Sequence, residues 1–427
     1  MTAGFWAPYG ELDEKDYHWG LLLLNVDVIT ERISNWKAKE IYDRICRQST
    51  VSKTELLEQS GMTVSTLTRL LEELTSQGLI LESGFGASTG GRRPILYEKN
   101  PAYAYIFGLE ISRTLSKLVL VDLGMNKLDT YSWTMTAEMT PDVLIRQIVE
   151  AANRMLEQHH IPKAALLGIG IGAVGPVDRL TGTILEPSYF LAKGWKHVEI
   201  GRLLTEALGI PALLDNGANT AILAESWHQR TRSFKHLLYI HAGVGLRSSM
   251  VSEGKVIYGA VDMEGSVGQM IIQTDGVAHR NASGNYGALE SYASLYAIEK
   301  AARSALKQGR STILSHYVED PEQLTYQHVL DALKKNDPLV VEIITEAATY
   351  FGIGLANLLN ILHPEKVILG GPLVAGGELF FQTATQVAIR KTYYYPAYQV
   401  VFSKGQLGEE ALAIGAAVLV MNQLVRL

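Results

Sequence analysis

Two adjacent arginines, Arg92 and Arg93, stand between a glycine pair, Gly90-Gly91, and Pro94. A flat, narrow cationic tip of this kind suits the minor groove of DNA, where negative potential is focused and bulk is excluded. Upstream, Ser65, Thr66 and Arg69 follow Thr63 at the start of an apolar-periodic segment. Polar and cationic side chains at the head of such a helix are placed to meet base edges and phosphates. A plain helical hairpin with a solvated arginine pair would share the helix pattern. The order helix, turn, helix, strand and basic tip favours DNA binding over that reading.

The elements that must carry these residues are legible nearby. Ser52 with Glu55 forms a capping box, so a helix opens at Lys53. Gly61 ends it through a left-handed C-cap. Thr63 caps the next helix, whose Leu67, Leu70, Leu71 and Leu74 mark one buried face, and Gly78 stops it. Leu79, Ile80 and Leu81 begin a strand, and Gly84 to Gly91 reads as a loop. Asn35 to Gln48 reads as a preceding helix with Ala38, Ile41, Ile45 and Cys46 inward. Before it, Phe5, Trp6, Tyr9, Tyr17 and Trp19 make residues 1–34 too aromatic for a disordered tail. This arm either packs on its own domain or a second subunit, or is a partly ordered terminus without a role. Asn100-Pro101 marks the end of the small domain.

The whole chain has 427 residues, which calls for two or three domains. Its hydrophobic content of 47% supplies ample core. A net charge of −6 excludes a general polycation, so DNA binding must come from a local patch. A single cysteine excludes an intrachain disulfide and any multi-cysteine metal site. Leu21 to Leu24 is too short to span a bilayer, and no secretion signal is evident, so a cytoplasmic protein without membrane contact is expected. From Ala104 the pattern changes to strands at Tyr105 to Ile111 and Lys117 to Asp122, helix at Pro141 to His159, and a buried strand at Ala165 to Ile171. A second set starts near His236, with strands through Val251 and a hairpin at Glu253-Gly254-Lys255. Mostly helix follows to Leu362, then a strand at Lys366 to Leu369 and a last alanine-rich helix, Glu409 to Val425.

The Val51 to Pro94 segment resembles the winged helix-turn-helix of regulators in the ROK family (repressors, open reading frames, kinases). The resemblance covers nearly everything after Ser34. It implies a multidomain fold: an α+β winged helix-turn-helix followed by a two-lobed α/β domain of the actin and hexokinase, ribonuclease H-like type. The expected division is an arm at 1–34, the DNA-binding domain at 35–100, a first lobe at 101–215 joined by helix 409–427, and a second lobe at 216–408.

Against the kinases of that family the catalytic motifs are eroded. Their first phosphate loop, Asp-x-Gly-Gly-Thr, is Glu110-Ile111-Ser112-Arg113-Thr114 here. The second, Gly-Thr-Gly-x-Gly-x-Gly, is His241-Ala242-Gly243-Val244-Gly245-Leu246-Arg247. Backbone cradles for phosphate depend on absent side chains. Gly370-Gly371 matches the adenosine-side glycines, or is simply a strand-to-helix connection. In Asp215-Asn216-Gly217-Ala218-Asn219 the general base is replaced by Gly217, a loss of roughly 10²–10⁴ in rate. The three zinc cysteines are replaced by Asn281, Ser283 and Ala288 and the zinc histidine by Gln269, so neither structural zinc nor another cofactor is expected. His279 reads as an ordinary core or surface residue.

Of the sugar contacts the resemblance implies, Asn216 and Glu290 remain, or serve instead to cap helices and satisfy backbone. Ser188-Tyr189-Phe190 replaces a polar turn and either stacks on a ring or fills the pocket. Arg113 and Arg247 would hold an anionic effector such as a sugar phosphate, or pair with Glu110 and Asp122 and close the site. The implied function is a DNA-binding transcriptional regulator, a repressor of carbohydrate genes. It would act as a homodimer or tetramer on a double-stranded operator, with a sugar or sugar phosphate as effector and no catalysis. The alternatives are a sugar kinase with residual ATP-dependent activity and a ligand-independent DNA-binding scaffold.

Overall fold

The computed structural model describes residues 33, 35–48, 50–86, 93–228, 234–262, 266–281 and 284–424. The chain divides into two units, Met1–Gly217 with Ala416–Leu427, and Ala218–Gly415. The aromatic arm expected at 1–34 lies almost wholly outside the described residues.

The first unit begins with a small helical head. Its helix α1 (Trp36–Arg47) is capped by Asn35, whose side chain accepts from the Lys37 N–H at 3.0 Å. Strand β1 (Val51–Ser52) leads into α2 (Lys53–Ser60). Ser52 and Glu55 close the capping box from both sides. Gly61 then takes φ 64°, and α3 (Val64–Ser76) starts from Thr63. Strands β2 (Ile80–Phe85) and β3 (Ile95–Lys99) complete a three-stranded sheet in the order β1-β3-β2. Ile41, Ile45, Leu56, Leu67, Leu70 and Leu74 are fully buried and form the head's core. Cys46 is only half-buried, a correction to its expected inward placement. A second correction concerns Gly84, which is strand and not loop. The β2–β3 register shifts between Glu82 and Gly84, and Gly84 has φ 127°, so a glycine bulge carries the strand on to Phe85.

The rest of this unit is an α/β lobe. Strands β4 (Tyr105–Ile111), β5 (Leu115–Asp122) and β6 (Lys127–Thr134) run antiparallel in sequence. Helix α4 (Pro141–Gln158) then leads to β7 (Leu166–Ala173). A small ribbon of β8 (Val177–Asp178) and β9 (Thr183–Ile184) precedes α5 (Ile200–Leu208) and β10 (Ala212–Asn216). The sheet order is β10-β7-β4-β5-β6, with β10, β7 and β4 mutually parallel. Every residue of β7 is buried, as a strand covered on both faces requires. Its Gly170 has no alternative: a Cβ there would lie 1.7 Å from the carbonyl oxygen of Ala416.

The second unit repeats this plan. Helix α6 (Gly217–His228) enters it, followed by β11 (His236–Ala242), β12 (Leu246–Ser252) and β13 (Lys255–Val256). Helices α7 (Leu295–Lys307), α8 (Tyr326–Lys334) and α9 (Pro338–Leu362) precede β14 (Lys366–Gly370). Then come α10 (Pro372–Ala375), α11 (Glu378–Lys391), β15 (Val401–Ser403) and α12 (Ala411–Leu424), whose residues from Ala416 belong to the first unit. The order β13-β12-β11-β14-β15 has the same pattern of antiparallel and parallel neighbours as the first lobe. Helix α9 is long and apolar enough to cross a membrane by length and composition. It is instead part of the core, with Phe351, Leu355 and Leu359 buried and Gly352 lying against Ala384 and Val387 of α11.

Two boundaries in this unit differ from expectation. Among the described residues of 257–294 the chain is irregular, with two short 3₁₀ turns, Ser266–Gln269 and Leu289–Ser291, and α-helix resumes only at Leu295. The glycines of this run are pressed against other parts of the chain, as at Gly287, where a Cβ would meet the Gln273 carbonyl oxygen at 1.7 Å, and at Gly284, where it would meet the His279 ring at 2.1 Å. Close turns of this kind leave no helical period. The final helix starts at Ala411, after a 3₁₀ turn over Gly408–Glu410, and Val425 lies outside the described residues.

Candidate nucleic-acid interface

Helix α3 owes its start to a hydroxyl network. Thr63 Oγ1 accepts from the Thr66 N–H at 3.3 Å and lies 2.8 Å from the Thr66 hydroxyl. The Thr68 hydroxyl donates to the Val64 carbonyl at 2.6 Å and receives the Lys53 ammonium at 2.6 Å. Lys53 therefore ties α2 to α3, a role the sequence pattern did not reveal. Of the residues singled out on this helix, Ser65 and Arg69 are exposed. Thr66 is half-buried, and its hydroxyl belongs to the cap. Glu55 sits at the head of α2, and the Ser52 N–H, followed by its hydroxyl, holds the carboxyl below the ordinary carboxylate range.

The β2–β3 hairpin closes toward Arg93. Phe85 pairs with Ile95, and the Gly86 N–H donates to the Pro94 carbonyl at 2.8 Å. A Cβ on Gly86 would meet Pro94 at 3.2 Å, so the hairpin is narrow at this point. Arg93 is exposed just beyond it, and Phe85 is 64% exposed. Arg92 lies outside the described residues. Among the large exposed apolar side chains of the head, Trp36, Val64, Leu81 and Phe85, none was singled out for its exposure. Only Val64 left a trace in the sequence, as an apolar residue one turn ahead of the Leu67 stripe.

In the lobe of the same unit, Asp215 and Asn216 are buried at the end of β10, and Asp215 Oδ1 accepts from the Asn216 N–H at 2.7 Å. Gly217 follows directly as the first residue of α6. Arg113 donates through Nε to the Ser188 carbonyl at 2.7 Å, with its guanidinium 5.9 Å from the Tyr189 ring centre. Asp122, considered as a partner for it, accepts from the Gly124 and Asn126 N–H groups at 2.7 and 2.9 Å. Phe190 stacks on Trp195 at 4.8 Å and so fills its own lobe.

In the second unit, Glu290 is occupied by its own chain. Its Oε2 accepts from the Leu246 N–H at 2.9 Å, and its Oε1 lies 3.3 Å from His279 Nε2. His279, 4% exposed at its side chain, also lies 3.1 Å from Gln269 Nε2. It is therefore a member of a polar cluster and not an isolated residue. The retained glycines face this chain's own atoms. A Cβ on Gly245 would meet Glu290 Oε2 at 3.0 Å, and one on Gly243 would meet His241 Nε2 at 2.9 Å. Arg247 is half-buried on β12 opposite His241. Gly371, at φ 91°, packs against the Ala242 carbonyl and serves the connection from β14 to α10. The residues at the zinc-loop positions do not fit zinc: one imidazole, already hydrogen-bonded, stands among carboxamides and an alanine, with no thiolate. Ser283 lies outside the described residues.

Two lobes with one repeated strand order define an actin/hexokinase-like body behind a helical head. The ROK family model matches residues 106–423, and the chain belongs to that family. It is similar to the xylose repressor of Caldicellulosiruptor bescii, 27% identical over 379 residues, 88% of this chain and 92% of the relative. It is also similar to the glucokinase of Halalkalibacterium halodurans, 28% identical over 318 residues, 74% of this chain and 94% of the relative. Among solved structures, a ROK family transcriptional regulator, a homolog of the E. coli MLC protein, has the same fold. Its TM-score is 0.73 at 21% identity, covering 91% of this chain and 96% of that one. A match over 88% of the chain necessarily takes in part of the sequence before Ile106, where the family model begins.

Proposed function

We propose that the chain is a DNA-binding transcriptional regulator, a repressor of carbohydrate genes, whose kinase-like body has given up catalysis. Residues 35–100 act as a winged helix-turn-helix. Helix α3 enters the major groove with Ser65 and Arg69 forward, and the β2–β3 wing brings Arg93 and Arg92 to the minor groove. The observation that carries this reading is the exposed start of α3, held rigid by Thr63 and Lys53 and leaving Ser65 and Arg69 to solvent. The repressor relative, which matches beyond the stretch shared with the glucokinase, supports it.

The body, residues 101–427, dimerises the protein in the cytoplasm and senses a sugar or sugar phosphate. A homodimer presents two recognition helices to half-sites about one helical turn apart. Ligand binding shifts the population between states that differ in affinity for the operator. With Gly217 at the base position and Arg247 closing the second glycine loop, neither proton abstraction nor an ATP cradle is supplied.

Selection of genomic DNA fragments by the purified full-length protein tests the reading. Enrichment of inverted repeats beside carbohydrate genes is the expected result. A failure to retain any fragment sinks it, as does ATP turnover in a coupled assay with a panel of hexoses. Arg93→Ala should weaken binding chiefly at sites with A·T-rich flanks, as a minor-groove contact requires; an even loss across sequences with a salt slope lower by about one would mark a phosphate contact instead.

A further inference from the structure

Within the head, Val64 has no structural employment that explains it. It is the first residue of α3 and 60% exposed, while the buried face of that helix is made by Leu67, Leu70, Leu71 and Leu74. A β-branched residue gains nothing from helix propensity here. Single exposed apolar residues are common on protein surfaces, so exposure alone carries little. The surroundings carry more. The hydroxyls of Thr63, Thr66 and Thr68 are all engaged, in the cap, with the Val64 carbonyl and with Lys53. The tip of α3 therefore offers a base edge the exposed isopropyl group of Val64, beside the polar Ser65 and Arg69.

In the major groove the thymine C5-methyl is the apolar mark among hydrogen-bonding edges. We infer that Val64 reads that methyl, one thymine in each operator half-site, and so sets part of the sequence specificity. This rests on the DNA-binding reading above. It adds a base and an atom to it.

The test uses the full-length protein and a duplex enriched from a randomised pool. Each thymine is replaced in turn by deoxyuridine, which pairs identically and lacks only the methyl. At one symmetry-related thymine pair, wild type should lose about fourfold in affinity per half-site, the equivalent of one buried methyl(ene). Val64→Ala should bind the thymine duplex more weakly and no longer distinguish uracil from thymine at that pair. Val64→Thr, which keeps one methyl, should retain part of the discrimination. Thermal unfolding checks that both variants fold, as an exposed position requires. Wild type indifferent to every replacement, or Val64→Ala with full discrimination, overturns the assignment while leaving DNA binding intact. A pool from which nothing is enriched removes both.

Discussion

At the start of α3, Arg69 stands in solvent on a helix whose own cap is already complete, and the exposed Ser65 hydroxyl lies 3.3 Å from that of Thr63. In the second unit, Glu290 and His279 have the same capacity for hydrogen bonds and have spent it inward, on Leu246, on Gln269 and on each other. Both regions hold polar side chains of the kinds used for recognition. In the head, the Arg69 guanidinium is left over after the fold is satisfied. A free polar group on a rigid element is available to a partner. A polar group inside a closed network must first be released, at the cost of leaving its old partners unpaired.

Replacing Gly287 with alanine should strike the comparison hardest. The position combines φ 68° with a clash of 1.7 Å against the Gln273 carbonyl, and a loss of about 3 kcal/mol or more is expected. Gly61 has a similar φ of 64° and nothing within 4 Å, so Gly61→Ala should cost only about 1 kcal/mol. Equal midpoint shifts in denaturant for the two would show that the second unit is not the tighter region. A smaller effect should come from Glu290→Ala, which strands the Leu246 N–H and a His279 partner and should lower stability by about 2 kcal/mol. Arg69→Ala should do the reverse, leaving the unfolding midpoint within about 0.5 kcal/mol and weakening DNA binding. If Glu290→Ala instead abolishes a sugar response with no change in stability, the closed-network view fails for that residue.

The smallest effect is set by acid. The Glu55 carboxyl is depressed in the fold, so its contribution is present above its ordinary value of 4.5 and fades as pH falls through the lowered one. The residue is exposed, so the stabilisation is slight. Glu55→Gln should remove this pH dependence of the head's helicity, read by circular dichroism between pH 5 and about pH 3, whereas Ser52→Ala, which keeps the backbone donor, should only reduce it. A dependence that persists in Glu55→Gln would place the acid-sensitive group elsewhere.

Much of the head was readable because its signals are local. Ser52, Glu55, Gly61 and Thr63 act within four residues of themselves, and all four cap as their types predict. The Gly84 bulge and the half-buried Cys46 were not readable, since both depend on what the neighbouring strand or helix presents. The expectation of mostly helix up to Leu362 holds from Leu295 on and fails before it, where glycines such as Gly287 are set by close approach to another part of the chain and not by a helical period. Among candidate site residues, sequence alone named Ser65 and Arg69 and could not separate them from Thr66, whose hydroxyl the cap consumes.

The sequence by itself determined where helices start and stop in the head, which leucines form its core, and that the family's base and zinc ligands are absent. Those follow from residue type and from forces that act over a turn or two of chain. Only the tertiary structure decided which polar groups remain unspent. Glu290 is satisfied by Leu246, 44 residues away, and buried Glu225 by the N–H groups of Gln406 and Leu407, the nearer of them 181 residues on. A hydrogen-bond acceptor has few lone pairs, and the partner that fills them is chosen by folding, at separations no local pattern records.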